Sequence, residues 1–211
     1  MNKVYACIDG LASTAAVIDW AAWSAQRLST PLEFLHVLEH QPDRAAFSDY
    51  SGAPGFAAQD PLLRQVLPLD EEMRVERVIR SVKRPVLVAT QERFEAPHRF
   101  VIAFDGSPTA RKTVAMVAAS PLLKGLPVLV ALAGADNATT QQQLEWARQT
   151  LAAVGFEVTL AVVPGEPEQA LPALVQSEGA GLLVMGAYGH SRIRQWIVAS
   201  TTTTLLRLSE V

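Results

Sequence analysis

Two glycines and a run of hydroxyl side chains lie close together in the stretch MGAYGHSRIRQWIVASTTTT, residues 185–204. The glycines are Gly186 and Gly189, and the hydroxyl run begins at Ser200. Glycine has no Cβ, so a bulky anion can approach the backbone amides closely. If the hydroxyl run opens a helix, the unpaired amides of its first turn add further donors. This spacing predicts a phosphate site between the two segments.

The residues around this stretch would place it at one edge of a sheet. Residues 181–185 form a continuous apolar run, which predicts a buried strand, and ligands of open α/β sheets bind beyond the carboxyl ends of the strands. Asp105 follows another apolar run at the equivalent place. An acid there repels phosphate, but it can accept hydrogen bonds from a ribose, hold a metal beside the phosphates, or simply order its own turn. Neither G-x-x-x-x-G-K-[ST] nor G-x-G-x-x-G follows either first strand.

The elements that must position these residues alternate between short apolar runs and helices. The predicted strands are 4–8, 31–37, 85–88, 100–104, 126–132, 157–163 and 181–185, and the predicted helices are 14–28, 108–119, 140–154 and 167–178. A further helix is expected to open at 199–201. Continuous apolar strands that alternate with helices indicate an α/β fold with a parallel sheet covered on both faces.

The order strand, aspartate, helix, strand occurs twice, with Asp9 in the first copy and Asp105 in the second. We place the first domain at residues 1–90 and the second at residues 98–211. The first copy is shorter by about one strand–helix–strand unit, within 41–70. Either this half has lost a unit, or part of the natural chain is absent from this sequence. The first copy has no glycine motif, so we interpret it as an empty structural copy. The second copy stops where the first continues into 85–88. Its last strand is therefore expected to be missing or supplied from elsewhere.

Composition restricts the class of partner. Apolar residues make up 49% of the chain and charged residues 18%, which predicts a packed globular core. The net charge of −3 gives no electrostatic reason to expect nucleic acid or an anionic membrane as a partner. Cys7, the single cysteine, lies in an apolar run and is expected to be buried. We expect a cytoplasmic protein, because no disulfide can form within one chain and no signal-like segment opens the sequence.

On these features the chain resembles the universal stress protein family in its tandem two-domain form. The family's nucleotide motif is G-x2-G-x9-G-[ST], and residues 186–200 read GAYGHSRIRQWIVAS, with Ala199 at the third glycine. The segments VPGEP (163–167) and SVKRPVLV (81–88) also match. The resemblance implies two Rossmann-like or flavodoxin-like (adenine nucleotide alpha hydrolase-like) parallel-sheet domains in tandem, the first one shortened. The cofactor it implies is an adenine nucleotide, usually ATP, alone or with Mg²⁺.

The resemblance also implies a role for each matching position of the second domain. It places Asp105 at the ribose or metal, Ala131 beside adenine, Met185 and Gly186 along the nucleotide, and Gly189, Ser200 and Thr201 at the phosphates. Ala199 departs from the motif, and its methyl group takes room near the phosphates. The charged side chains of His190, Arg192 and Arg194 could screen a triphosphate or form a solvated loop.

Two functions of different classes fit this pattern. The first is a stress-response or signalling module that binds ATP or a related adenine nucleotide in its second domain. The second is an interaction scaffold with a vestigial pocket. No nucleophile and base are arranged as in G-x-S-x-G proteins, so we expect no enzyme beyond slow ATP hydrolysis. A missing last strand would leave an unpaired sheet edge, which predicts a homodimer formed by strand exchange. A signalling role also implies a protein partner, which the sequence does not identify.

Overall fold

The computed structural model describes residues 3–8, 14–36, 85–89, 93–186 and 204–208 of the chain. The strands in these ranges are β1 (Val4–Ile8), β2 (Leu32–His36), β3 (Val86–Val88), β4 (Phe100–Ala103), β5 (Val128–Ala133), β6 (Val158–Val163), β7 (Leu182–Gly186) and β8 (Thr204–Leu208). The helices are α1 (Thr14–Leu28), α2 (Pro108–Ala119), α3 (Ala138–Ala152) and α4 (Pro167–Ser177). Apart from β8, each was predicted from the sequence to within two residues.

The described strands form two sheets. β1 and β2 pair in parallel as a two-stranded sheet, and the other six strands form a sheet in the order β3-β8-β7-β4-β5-β6. Every pair in this larger sheet is parallel except the β3–β8 pair, which is antiparallel. The α/β fold with parallel sheets is therefore confirmed.

The six-stranded sheet is covered on both faces. Side chains of α2 and α3 pack with Phe100, Val130 and Val184 on one face, and side chains of α4 pack with Val101 and Leu183 on the other. From β4 the chain moves outward through β5 to β6, and α4 then returns it to β7 on the opposite side of β4. The strand order therefore reverses between β4 and β7, and the carboxyl ends of these strands open a crevice there.

The start of α2 shows why the sequence folds as it does at this crevice. Ser107 is the N-cap, with φ −63° and ψ 160°, and its Oγ accepts a hydrogen bond of 3.1 Å from the Ala110 amide. Pro108 occupies the first helical turn, where its lack of an N–H costs nothing. The predicted cap and helix start are both confirmed.

The last strand of the sheet differs from prediction. The helix expected to open at 199–201 would continue into residues 204–208, which instead form β8, parallel to β7. The edge of β7 offers unpaired backbone groups, which β8 satisfies. The prediction of a missing last strand was therefore wrong. Residues 86–88, predicted as the final strand of the first domain, instead pair with β8.

Helix α1 is anchored to the part of the chain that follows α2. Trp20 is buried and meets the Trp23 ring edge-on, with ring centroids 5.4 Å apart. The Arg27 side chain donates hydrogen bonds to the carbonyl oxygens of Leu122 and Lys124. Trp20 thus belongs to the buried core, and Trp23 packs against that core.

One face of the small sheet is not covered by α1. Ala6 is buried, whereas Tyr5, Cys7 and Leu35 are exposed. Because successive side chains of a strand alternate between faces, Tyr5 and Cys7 lie on the face away from Ala6. The prediction that Cys7 is buried was wrong for this reason. Across the described residues, no helix has the length and apolar character needed to cross a membrane.

Candidate functional site

A cavity of about 290 Å³ lies at the carboxyl ends of β4, β5 and β7. Its walls are the last residues of these strands together with the first turns of α2 and α4. This is the point at which the strand order reverses, where open α/β sheets normally bind their ligands. The fold therefore makes this cavity the candidate site of the described part of the chain.

The cavity wall combines apolar and acidic groups. Its apolar members are Ala103, Phe104, Ala110, Ala133, Pro167, Leu171 and Met185, and its polar side chains are Asp105, Ser107, Thr109, Glu166 and Glu168. Three of the polar side chains are carboxylic acids, and none of the described lining residues is a lysine, arginine or histidine. Such a wall favours a flat apolar group that carries hydroxyl or amino donors, and it repels a phosphate.

Asp105 lies where β4 gives way to α2, on the cavity wall. Its Oδ1 accepts a hydrogen bond of 2.9 Å from the Ser107 amide, so the carboxylate orders the turn before α2. Asp105 therefore orders its own turn, which is one of the three roles that its sequence position suggested. A carboxylate has acceptor sites on both oxygens, so this bond does not use its full capacity to accept from a ligand.

Gly106, the middle residue of this turn, has a φ of +74°, which only glycine adopts without strain. A Cβ at this position would lie 2.3 Å from Oε1 of Gln143 on α3. The side chain of Gln143 therefore packs directly against the backbone of the turn. The backbone conformation therefore requires glycine here, whereas the Gln143 side chain could move aside for a larger residue.

Met185 and Gly186 end β7 and also line the cavity. A Cβ on Gly186 would lie 2.8 Å from Thr109 Cγ2 and 3.2 Å from Thr113 Oγ1. Glycine at this position lets the first turns of α2 lie against the end of β7. Close helix packing therefore accounts for Gly186, in addition to the approach of a ligand that the sequence suggested.

The first turn of α4 forms the opposite wall. Glu166 is the N-cap residue and makes no side-chain capping hydrogen bond, while Glu168 lies in the first turn. Negative charge is favourable at the amino end of a helix dipole. Glu166, Glu168 and Leu171 were not predicted as site residues. The VPGEP segment marked a turn, but only the strand order shows that α4 returns beside β4.

Ala131 does not line the cavity. It is fully buried in β5, and its carbonyl oxygen accepts a hydrogen bond of 2.8 Å from the Phe104 amide. β5 continues to Ala133, one residue beyond the predicted end of the strand, and Ala133 is the residue on the wall. On β5 the residue at the cavity wall is thus Ala133, two residues beyond Ala131.

The remaining predicted site residues, Gly189, Ala199, Ser200 and Thr201, lie outside the described residues, as does Asp9 of the first copy. The structure therefore brings Asp105, Met185 and Gly186 together at one cavity. Within the described ranges, no group of three or more His, Cys, Asp or Glu side chains is placed to hold a metal ion.

Comparison with known proteins defines the family. The sequence pattern of the Universal stress protein family matches residues 1–79 and 97–211. The chain therefore belongs to the universal stress protein family. A universal stress protein of Synechocystis sp. is 34% identical over 139 residues, which are 65% of this chain and 48% of that protein. The present chain thus matches about half the length of this curated relative.

Solved structures agree with the fold. A universal stress protein of Archaeoglobus fulgidus superposes with a TM-score of 0.63 at 15% identity, over 99% of this chain and 96% of that one. A universal stress protein of Pseudomonas aeruginosa gives a TM-score of 0.59 at 17% identity, over 98% of this chain and 92% of that one. These likenesses show a Rossmann-like α/β architecture for this chain.

Proposed function

We propose that this chain is a tandem universal stress protein that binds ATP or a related adenine nucleotide in its second domain, residues 98–211. In this proposal the protein is cytoplasmic, and nucleotide binding makes it a stress-response or signalling module. The observation that supports binding is the cavity at the strand-order reversal. Met185 and Gly186 form part of its wall, and Gly186 is also the first glycine of the nucleotide-type motif.

The wall chemistry supports one orientation of the nucleotide. Ala103, Ala133 and Leu171 offer apolar surface to a purine ring, and Asp105 and Glu168 can accept hydrogen bonds from ribose hydroxyls or an exocyclic amine. The same carboxylates repel the phosphates. We propose that the phosphates instead extend past Gly186 toward the glycine–hydroxyl motif, with Mg²⁺ offsetting part of their charge.

Equilibrium binding of ATP with Mg²⁺, measured by titration calorimetry, tests this function. Gly189→Val adds bulk at the second motif glycine, and Ser200→Ala removes a hydroxyl donor. We expect Ser200→Ala to weaken ATP binding by about tenfold, the loss expected for one charge-assisted hydrogen bond. Gly189→Val should also weaken binding, because its side chain takes space that the phosphates need. Ser177→Ala is the matched control, because its exposed hydroxyl donates to the Leu174 carbonyl of its own helix. A wild-type chain that binds no ATP at millimolar concentration would refute the proposal.

An interaction scaffold with a vestigial pocket is the second candidate. Two observations favour it, because helix packing accounts for Gly186 and an ordered turn accounts for Asp105 without any ligand. A ligand that binds only the folded state must raise the melting temperature. A melting temperature unchanged by saturating ATP, with no nucleotide in freshly purified protein, would favour the scaffold.

Catalysis is not part of the proposed function. We propose at most slow hydrolysis of bound ATP, because the sequence offers no arranged nucleophile and base. Release of inorganic phosphate over many turnovers per chain would contradict this proposal. If no phosphate is released, ATP would act as a regulatory ligand. A protein partner would then recognise the nucleotide-bound form of the chain.

We also propose a homodimer, although not by exchange of the last strand. The outer edge of β8 is already paired with β3, so it offers no free ladder to a second copy. Among the described residues, the support for association is now the exposure of Tyr5 and Leu35 on the face of the small sheet away from Ala6.

A further inference from the structure

A column of three side chains stands behind the turn that follows β4. Phe104 is buried and lines the cavity, and the Trp146 ring of α3 stacks on it with a centroid distance of 6.2 Å and an interplanar angle of 16°. On α2, the Arg111 guanidinium carbon lies 4.5 Å from the centroid of the same Trp146 ring. The column joins the cavity wall to both helices on this face of the sheet.

The Arg111 side chain of this column also holds the backbone of the turn. Its Nε donates a hydrogen bond of 3.3 Å to the Gly106 carbonyl oxygen. The first backbone hydrogen bond of α2, from the Arg111 amide to the Ser107 carbonyl oxygen at 3.0 Å, joins the same turn to the helix. The Gln143 side chain, three residues before Trp146 on α3, packs against Gly106. Residues 105–107 are therefore held by α2 and α3 from behind, and Asp105 and Ser107 line the cavity in front.

We propose that Arg111 and Trp146 are positioning residues for the nucleotide, which hold the 105–107 turn in its ligand-binding conformation. The inference rests on the proposed nucleotide site. Neither side chain lines the cavity, so any effect on the ligand passes through Phe104 and the turn.

The size of the effect follows from the population of the binding-competent turn. A cation–π contact and an aromatic contact of this kind each shift a conformational equilibrium by about fivefold. Without these contacts, the 105–107 turn populates other conformations. The apparent dissociation constant then rises in inverse proportion to the fraction of the protein whose turn is in the binding conformation. We therefore expect loss of the column to weaken nucleotide binding by about three- to tenfold.

The test measures the dissociation constant of ATP·Mg²⁺ for the full chain, well below its melting temperature. Arg111→Met keeps the aliphatic stem but removes the guanidinium and its bond to Gly106, while Trp146→Leu removes the aromatic ring. Both are expected to raise the dissociation constant. Trp146→Phe keeps an aromatic ring in the column and is expected to restore affinity to within about twofold of wild type.

Two controls separate positioning from general destabilisation. Arg148→Met makes the matched substitution on α3 at an exposed arginine that pairs with Glu145 and is not a member of the column. Leu151→Val loosens the buried side of α3 at a residue outside the column. We expect wild-type affinity in both, even where Leu151→Val lowers the melting temperature as much as Trp146→Leu does.

The results distinguish this inference from the proposed function. If wild type binds ATP and both Arg111→Met and Trp146→Leu keep wild-type affinity, the positioning role is wrong while the nucleotide site stands. If affinity falls equally in Leu151→Val, the effect is general destabilisation and the inference is again overturned. If wild type binds no ATP, the nucleotide site and the positioning role fail together.

Discussion

Gly186 is the residue at which helix packing and the proposed ligand site meet. We expect Gly186→Ala to destabilise the protein by about 1–3 kcal/mol, because the added methyl group overpacks the contact with α2. Its Cβ would lie only 2.8 Å from Thr109 Cγ2. Urea unfolding followed by circular dichroism measures the change.

Thr109→Ser is the matching relief variant, because it removes Cγ2 and keeps the hydroxyl. The double variant should recover part of the stability that Gly186→Ala loses, and a double-mutant cycle measures the coupling. Strictly additive effects would mean that Thr109 is not what the methyl group meets.

The Glu145 carboxyl on α3 provides a prediction on pH. Hydrogen bonds from Arg148 and then Gln149 lower its pKa from 4.5 to about 2. A carboxyl whose pKa is depressed by folding stabilises the folded state above its unfolded pKa, and this contribution is lost as the pH falls through the folded value. We therefore expect its small contribution to disappear between about pH 4.5 and pH 2.

Carboxyl chemical shifts recorded across an acid titration test this pKa. Glu145 should titrate near 2 in wild type, and its pKa should rise toward 4.5 in Arg148→Met, which removes the largest cause of the shift. A wild-type Glu145 whose pKa lies near 4.5 would contradict the predicted shift.

At the scale of the element, the start of α2 depends on its cap. We expect Ser107→Ala to cost about 1 kcal/mol of stability, because the Ala110 amide loses its acceptor. Ser107→Gly should cost less, since glycine is tolerated at this position, and Ser177→Ala is the surface control. The free energy of unfolding in urea measures all three. Equal losses in Ser107→Ala and Ser177→Ala would show that the cap contributes nothing specific.

The helices and central strands could be predicted because their signals are local. Ser107 and Pro108 mark the start of α2 within two residues of chain, and the apolar run of β7 needs no partner to be recognised. β8 could not be predicted in this way, because its conformation depends on pairing with β7 and β3.

The candidate site could be predicted only in part, for a related reason. Asp105, Met185 and Gly186 stand at strand ends that a sequence can locate. Glu166 and Glu168 enter the wall only because α4 crosses back to the far side of β4, and that return is a property of the strand order.

At the scale of the whole molecule, we predict a dimer through the exposed face of β1 and β2. Light scattering should give twice the chain mass for wild type. The double variant Tyr5→Ser with Leu35→Ser should give the mass of one chain, because it removes apolar surface from that face. Val154→Ser is the control, since Val154 is an exposed apolar residue elsewhere. A wild-type monomer at all concentrations would exclude this mode of association.

The antiparallel pairing of β3 with β8 has a consequence for biosynthesis. Val86–Val88 is synthesised long before Thr204–Leu208. β3 therefore cannot form its pairing with β8 until residues 204–208 have been made. During that interval β3 lacks this partner, and an unpaired strand is able to pair with a neighbouring polypeptide. Once the ladder closes, a protease cut near residue 91 would leave two pieces held together by backbone hydrogen bonds.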